Sequence, residues 1–263
     1  MHRVVVITGG TSGIGAACAC AFIAQGDTVY TLSRHGKTIQ GAVSLCADVT
    51  DSPAVTRQLN AVIQREDHID LLLCCAGFGI SGALEFTESN EAHQQLEVNL
   101  FGIDNVVKAV LPQMRRQGSG KIFLVSSVAA CVPIPFQGWY SISKAAINTY
   151  ALALSNEIRA FGIQSCAIMP GDIRTGFTDA RRKSELGDTI YSGRISRSVA
   201  HMEKDERGGM APETVARRIV RLAKQKNPKP LCSIGFAYKA VCILVKLLPI
   251  RIVNRIVYSL YCK

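Results

Sequence analysis

Negative charge is scarce at one end of this chain. After Met210 the only acidic residue is Glu213, against eleven lysines and arginines, so residues 211–263 carry 11 − 1 = +10. Residues 1–210 hold 19 basic and 19 acidic side chains and balance to zero. The whole formal charge of +10 therefore sits in the last fifth of the 263 residues and needs its own explanation. Paired cysteine spacing is also missing. The ten cysteines are scattered, with no C-x-x-C and no Cys/His cluster, so no metal is expected. Cys74 and Cys75 lie inside an apolar run, and Cys18 and Cys20 point in different directions on a predicted helix. They read as small core residues of a reduced, cytoplasmic compartment rather than a disulfide framework. The apolar start, Val4 to Ile7, is too short for a signal peptide and runs straight into glycines. The basic residues near the end are interleaved with aliphatic rather than stacking aromatic side chains, which argues against nucleic acid. No internal repeat and no long linker interrupts the chain.

What is present suits one large α/β domain: 48% of the residues are hydrophobic, ample for a core. Residues 3–8 form a β-branched strand that breaks into Gly9-Gly10-Thr11-Ser12-Gly13-Ile14-Gly15, and a helical pattern follows to Gln25. A strand, a glycine turn and a helix make a dinucleotide site, because glycines let the backbone approach a pyrophosphate and the helix N-terminus offers unpaired N–H groups. The second strand ends at Ser33-Arg34. A carboxylate there would meet the ribose 2′-hydroxyl of NAD; a cation suits the 2′-phosphate of NADP(H). A third short strand delivers Asp48-Val49 toward an adenine ring. Residues 69–75 read as a buried parallel strand closed by Ala76-Gly77. A helix over residues 90–116 carries Asn99, either a satisfied core amide or an active-site group. The fifth strand brings Ser126-Ser127 to its carboxyl end, where open α/β sheets place ligands. The sixth ends in Pro170-Gly171-Asp172-Ile173-Arg174-Thr175. Strands alternating with helices predict a doubly wound parallel, Rossmann-like sheet.

Between the fifth and sixth strands lies Tyr140-Ser141-Ile142-Ser143-Lys144. Residues four apart share a helix face, so the phenol and the ammonium project side by side. An adjacent cation stabilises a phenolate, which turns a tyrosine into a usable acid–base group. Ser127 supplies a neutral hydroxyl for a carbonyl oxygen beside it.

Taken together, these motifs resemble the short-chain dehydrogenase/reductase family over residues 3–175. Its T-G-x-x-x-G-x-G loop falls on Thr8, Gly9, Gly13 and Gly15, its acidic adenine contact on Asp48, its helix asparagine on Asn99, and its Tyr-x-x-x-Lys pair on Tyr140 and Lys144. The thirteen-residue interval from Ser127 to Tyr140 selects Ser127 over Ser126. The Pro-Gly turn matches Pro170-Gly171, with Thr175 near a nicotinamide carboxamide. The resemblance implies an NADP(H)-dependent oxidoreductase in which Tyr140 moves the proton, Ser127 orients the oxygen, Lys144 lowers the Tyr140 pKa and holds the ribose, and Asn99 supports a water leading to Lys144. It also implies a homodimer or homotetramer. One departure is Cys75, where the family has an asparagine that braces the sheet; a thiol is a weaker hydrogen-bonding group.

A polar segment from Thr175 to Met210, with Arg181-Arg182-Lys183 as a solvated run, is expected to be a mobile substrate entrance. Pro212 opens a helix to Lys224. Residues 1–230 then form the dinucleotide-binding catalytic domain and residues 231–263 a basic amphipathic helical extension. In the extension, Lys239 and Lys246 share a stripe and Pro249 breaks the helix. Ile252, Val253, Ile256, Val257 and Leu260 then oppose Arg251, Asn254, Arg255 and Ser259. The charges interrupt it too often for a membrane span; a helix pair lying on an anionic membrane fits better, with a cap over a greasy pocket or a subunit contact as the alternative. A tail of this kind resembles the family's steroid, retinoid and acyl-lipid reductases and implies a hydrophobic small-molecule substrate. The competing class is a non-catalytic dinucleotide-binding redox sensor or scaffold at a membrane surface.

Overall fold

The computed structural model describes residues 2–263. Strand β1 (Val4–Thr8) is buried at all five positions. Val4 and Val6 pack into one core and Val5 and Ile7 into another, so the strand is apolar throughout because both faces are covered. The following elements are α1 (Gly13–Ile23), β2 (Thr28–Ser33), β3 (Val43–Cys46), α2 (Ser52–Glu66), β4 (Leu71–Cys74) and a two-residue strand β5 (Ile80–Ser81). Then come α3 (Ser89–Leu96), a π turn (Glu97–Phe101), α4 (Gly102–Gln117), β6 (Gly120–Val125), α5 (Gly138–Glu157) and β7 (Ile163–Pro170). The chain closes with α6 (Phe177–Ala180), β8 (Arg182–Lys183), α7 (Arg194–Arg207), α8 (Pro212–Lys224), β9 (Leu231–Ile234), α9 (Phe236–Leu247) and α10 (Ile250–Tyr261).

Seven parallel strands lie in the order β3-β2-β1-β4-β6-β7-β9. The order reverses between β1 and β4, whose Thr8 and Cys74 are register partners. The crevice beyond those carboxyl ends is where such a sheet takes a ligand. One core holds Val55 and Leu59 of α2, Val106 and Val110 of α4 and Ile147 and Ala151 of α5. The opposite core joins Cys18 and Phe22 of α1 to Val215 and Ile219 of α8. The doubly wound expectation holds.

Three local expectations change. Leu231–Ile234, expected to open the helical extension, is the seventh strand, paired with Ala167 to Pro170 of β7. Thr175 to Met210 lines the cavity as expected but is built of regular elements, and Ile195, Ser198, Val199 and Met202 form a buried stripe on α7. Within that segment the Arg181 side chain is fully buried against Glu206, because that carboxylate provides the charge partner without which an arginine stays in water.

Candidate active site

The glycine loop is shaped by contacts that leave no room for side chains. Gly9 has φ +63°, and a Cβ there would stand 2.8 Å from the Ala76 nitrogen; at Gly15 it would stand 2.2 Å from the Gly9 carbonyl oxygen. Ser12 starts α1 without a side-chain cap, and no acidic residue lies in the first turn, so the helix start keeps free N–H donors for an anion. Gly15→Ala is expected to cost roughly 1–3 kcal/mol of stability and most of the dinucleotide affinity, checked by denaturant titration and nucleotide-binding fluorescence. Gly10 instead packs on Thr31.

With cysteine at position 75, the tie between the strands here is made by backbone N–H groups. The Ala76 N–H donates to Thr8 Oγ1 at 3.2 Å and the Cys75 N–H to the Thr8 carbonyl at 3.1 Å, which ties β1 to the end of β4. The Cys75 thiol is left facing the cavity, where burial holds it protonated, with a pKa pushed up to about 12 against the pull of Lys144.

At the end of β2 the Ser33 Oγ is buried with no partner, and Arg34, His35 and Lys37 line the cavity beside it. An orphaned hydroxyl beside Arg34 and Lys37 fits a phosphate. Only Ser33 and Arg34 were legible from sequence; His35 and Lys37 lie in the same loop, and the pattern to find them was its density of cationic side chains. Asp48 and Val49 also line this end. The Asp48 carboxylate accepts from Thr50 N at 3.0 Å and Thr50 Oγ1 at 2.9 Å, which fixes its direction.

Deeper in, Ser127, Tyr140 and Lys144 meet in one cavity of about 1100 Å³. Ser126, the alternative serine, is buried and gives its hydroxyl to the Lys144 carbonyl at 2.9 Å, so it braces α5 instead. Tyr140 retains some exposed surface, yet burial is the main cause that pushes its pKa to about 12, and the nearby Ser127 hydroxyl pulls it down. The net Tyr140 shift is therefore upward, not the downward one that the sequence led one to expect from Lys144. The Lys144 ammonium donates to the Val125 carbonyl at 2.8 Å and stands 5.5 Å from the Tyr140 ring centroid. Burial also depresses Lys144 itself to about 8.

Asn99 is fully buried and does not line the cavity. Its Oδ1 accepts from Phe78 N at 3.0 Å, and its Nδ2 donates to Phe78 O at 3.0 Å and to Ser143 Oγ at 3.1 Å. Both amide hydrogens are spent on protein partners, so the side chain braces the core. Ser143 Oγ passes the restraint on, donating to the Tyr140 carbonyl at 2.7 Å. Asn99 sits in the middle of the π turn, and such turns recur at functional sites. Pro170, Gly171, Ile173 and Thr175 line the cavity as expected, as do Gly9, Thr11 to Gly15, Ala76 and Gly77, whereas Thr8 and Gly10 lie behind it.

Sequence reading missed the far wall. Phe177 packs on Tyr140 with ring centroids 5.7 Å apart, and Arg181 lies over Phe177. The Tyr238 hydroxyl donates to Asp172 Oδ2 at 2.6 Å, anchoring α9 to the turn after β7. Val253 and Val257 of α10 are buried and line the same cavity, so the capping alternative for the tail holds on that face. Acidic and aromatic groups this far apart in the chain carry no spacing signal.

Residues 3–186 match the short chain dehydrogenase family. This chain belongs to that family. The dehydrogenase is 39% identical over 236 residues to a 3-ketodihydrosphingosine reductase of Bacteroides thetaiotaomicron, covering 89% of this chain and 88% of that one. It is 33% identical over 250 residues to a probable short-chain type dehydrogenase/reductase of Helicobacter pylori, covering 93% and 92%. Among solved structures, a short-chain dehydrogenase from Streptomyces avermitilis superposes with a TM-score of 0.85 at 26% identity, over 94% of this chain and 92% of that one. ElxO, solved with NADP bound, shares the fold at a TM-score of 0.74 and 24% identity, over 91% of this chain and 100% of that one. The chain is thus an oxidoreductase of the short-chain dehydrogenase family.

Proposed function

We propose that this dehydrogenase uses NADP(H) to interconvert a carbonyl and an alcohol on a hydrophobic substrate, a steroid, retinoid or keto-lipid. The observation that carries it is continuity: one cavity runs from the glycine loop and Arg34, past Ser127, Tyr140 and Lys144, to apolar side chains of α9 and α10. Its volume exceeds the range usual for a single small ligand, leaving space for a cofactor and a substrate together. A keto-lipid is favoured within the substrate class by the name of the Bacteroides relative.

A bound nicotinamide supplies the hydride. Thr11 to Gly15 receive the pyrophosphate, Ser33 and Arg34 the 2′-phosphate, Asp48 and Val49 the adenine side, and Thr175 with Ile173 the far end. Ser127 orients the carbonyl oxygen and Tyr140 gives it a proton; the reverse reaction uses Tyr140 as base. The raised pKa keeps the phenol protonated at neutral pH, the form that reduction requires. Asn99 acts by holding Ser143 and the turn of Tyr140 in place. Residues 1–230 with β9 form the catalytic body, and residues 236–263 an extension in peripheral contact with an anionic membrane. A homodimer or homotetramer is supported by the exposed Phe101, Ile142 and Leu152 around α4 and α5.

A screen of steroid, retinoid and long-chain keto-lipid substrates with NADPH and with NADH, read at the nicotinamide absorbance band, tests the reading. Arg34→Asp is expected to reduce the preference for NADPH over NADH by about a hundred-fold, since a charge-assisted hydrogen bond is replaced by repulsion. An unchanged preference would remove Arg34 from the phosphate site.

A further inference from the structure

No acidic residue lies between Phe236 and Lys263, and Lys239, Lys246, Arg251 and Arg255 are exposed, none of them in a salt bridge among the described residues. Large apolar side chains are exposed beside them: Phe236 is 91% exposed, Leu247 75% and Ile250 66%. The last two flank Pro249 at the turn between α9 and α10. Water gains nothing from such a surface, and an apolar patch ringed by cations matches the depth profile of a lipid leaflet with anionic headgroups. Neither helix crosses a bilayer: twelve residues span about 18 Å against a hydrocarbon thickness of about 30 Å.

The cavity opens on this same surface. Val241, Leu244, Ile256 and Leu260 are exposed and also line the catalytic cavity, which places them at its rim. Along α10 a shallow groove of about 420 Å³ runs between Arg251 and Arg255, with Ile252 and Ile256 in its wall. Two guanidiniums over an aliphatic floor match a phosphate headgroup and the start of its acyl chain.

We propose that α9 and α10 dock the protein on an anionic lipid surface through the face on which the cavity opens, so that a lipid substrate passes from the leaflet to Tyr140 without entering bulk water. This rests on the hydrophobic-substrate reading above. The Leu247–Ile250 turn inserts among the acyl chains, the four cations meet the headgroups, and the rim faces the leaflet.

The experiment is flotation of the full chain with vesicles of phosphatidylcholine alone and of phosphatidylcholine with phosphatidylserine in equal parts. It runs beside turnover of a short water-soluble ketone and of a long-chain keto-lipid carried in the vesicles. Wild-type protein is expected to bind the anionic vesicles selectively. Arg251→Gln with Arg255→Gln is expected to weaken that binding about thirty-fold, and Leu247→Glu with Ile250→Glu to abolish it. Both double variants keep turnover of the soluble ketone within about two-fold while losing turnover of the vesicle-borne lipid, as follows from residues outside the cavity that act only on delivery. Equal binding by wild type and variants, no preference for anionic vesicles, or variant-sensitive self-association in place of vesicle binding would overturn the docking. Vesicle binding with no reduction of any ketone would instead sink the hydrophobic-ketone reading and leave the docking intact.

Discussion

Tyr140→Phe is expected to lower kcat for carbonyl reduction by about a thousand-fold, within the range that a positioned acid contributes. The phenylalanine keeps the ring that packs on Phe177 and the aromatic face beside Lys144, so fold and dinucleotide affinity should be preserved. The effect therefore falls on kcat rather than on cofactor binding, which separates loss of a proton donor from loss of a binding contact. Ser127→Ala should act in the same direction and more weakly, since Ser127 both orients the substrate and draws the Tyr140 pKa down. A Tyr140→Phe protein with wild-type turnover would remove Tyr140 from the chemistry.

The second large effect is expected at Lys144, where activity and stability move differently. Lys144→Met should lower turnover by at least about a hundred-fold, because the cation beside the phenol is gone. Stability changes through its pH dependence. Burial depresses the folded-state pKa of Lys144 to about 8 from an ordinary 10.5. Below about pH 8 both folded and unfolded chains carry the proton, and the cost of burying the charge is present in full. Between the two values the unfolded chain holds the proton and the folded one does not, so stability rises with pH across that window. The rise amounts to roughly 3 kcal/mol for a shift of this size. Wild-type protein should show it between about pH 8 and 10.5 in urea titrations, and Lys144→Met should lack it; parallel curves would contradict a buried, charged Lys144.

Much of this was legible because the family's motifs are local. Thr8 to Gly15 are contiguous, the Tyr140–Lys144 pair depends on one helical turn, and both sit where an alternating pattern of strands and helices must place them. Longer-range features were not. Strand β9 is four residues preceded by a proline, too short to announce a sheet edge, and only its pairing with β7 makes it a strand. Helix α7 was obscured by its charged residues, although Ile195, Val199 and Met202 do repeat at helical spacing. Arg181 belongs to a run of three cations that reads as solvated, and its burial depends on Glu206 twenty-five residues away. Asn99 was ambiguous in sequence for a sound reason: only the geometry shows its amide consumed by Phe78 and Ser143. Helical spacing showed which face Tyr140 and Lys144 share but not where the ammonium ends up, and Val125 offers it a carbonyl.

The measurement that bears most directly on the account is the consumption of NADPH by purified protein given a long-chain keto-lipid, with the alcohol product quantified beside it. One alcohol formed per NADPH oxidised, with the rate lost in Tyr140→Phe and the nucleotide still bound, is the result expected. Tight NADPH binding with no alcohol from any steroid, retinoid or keto-lipid would contradict it and leave a dinucleotide-binding sensor in its place.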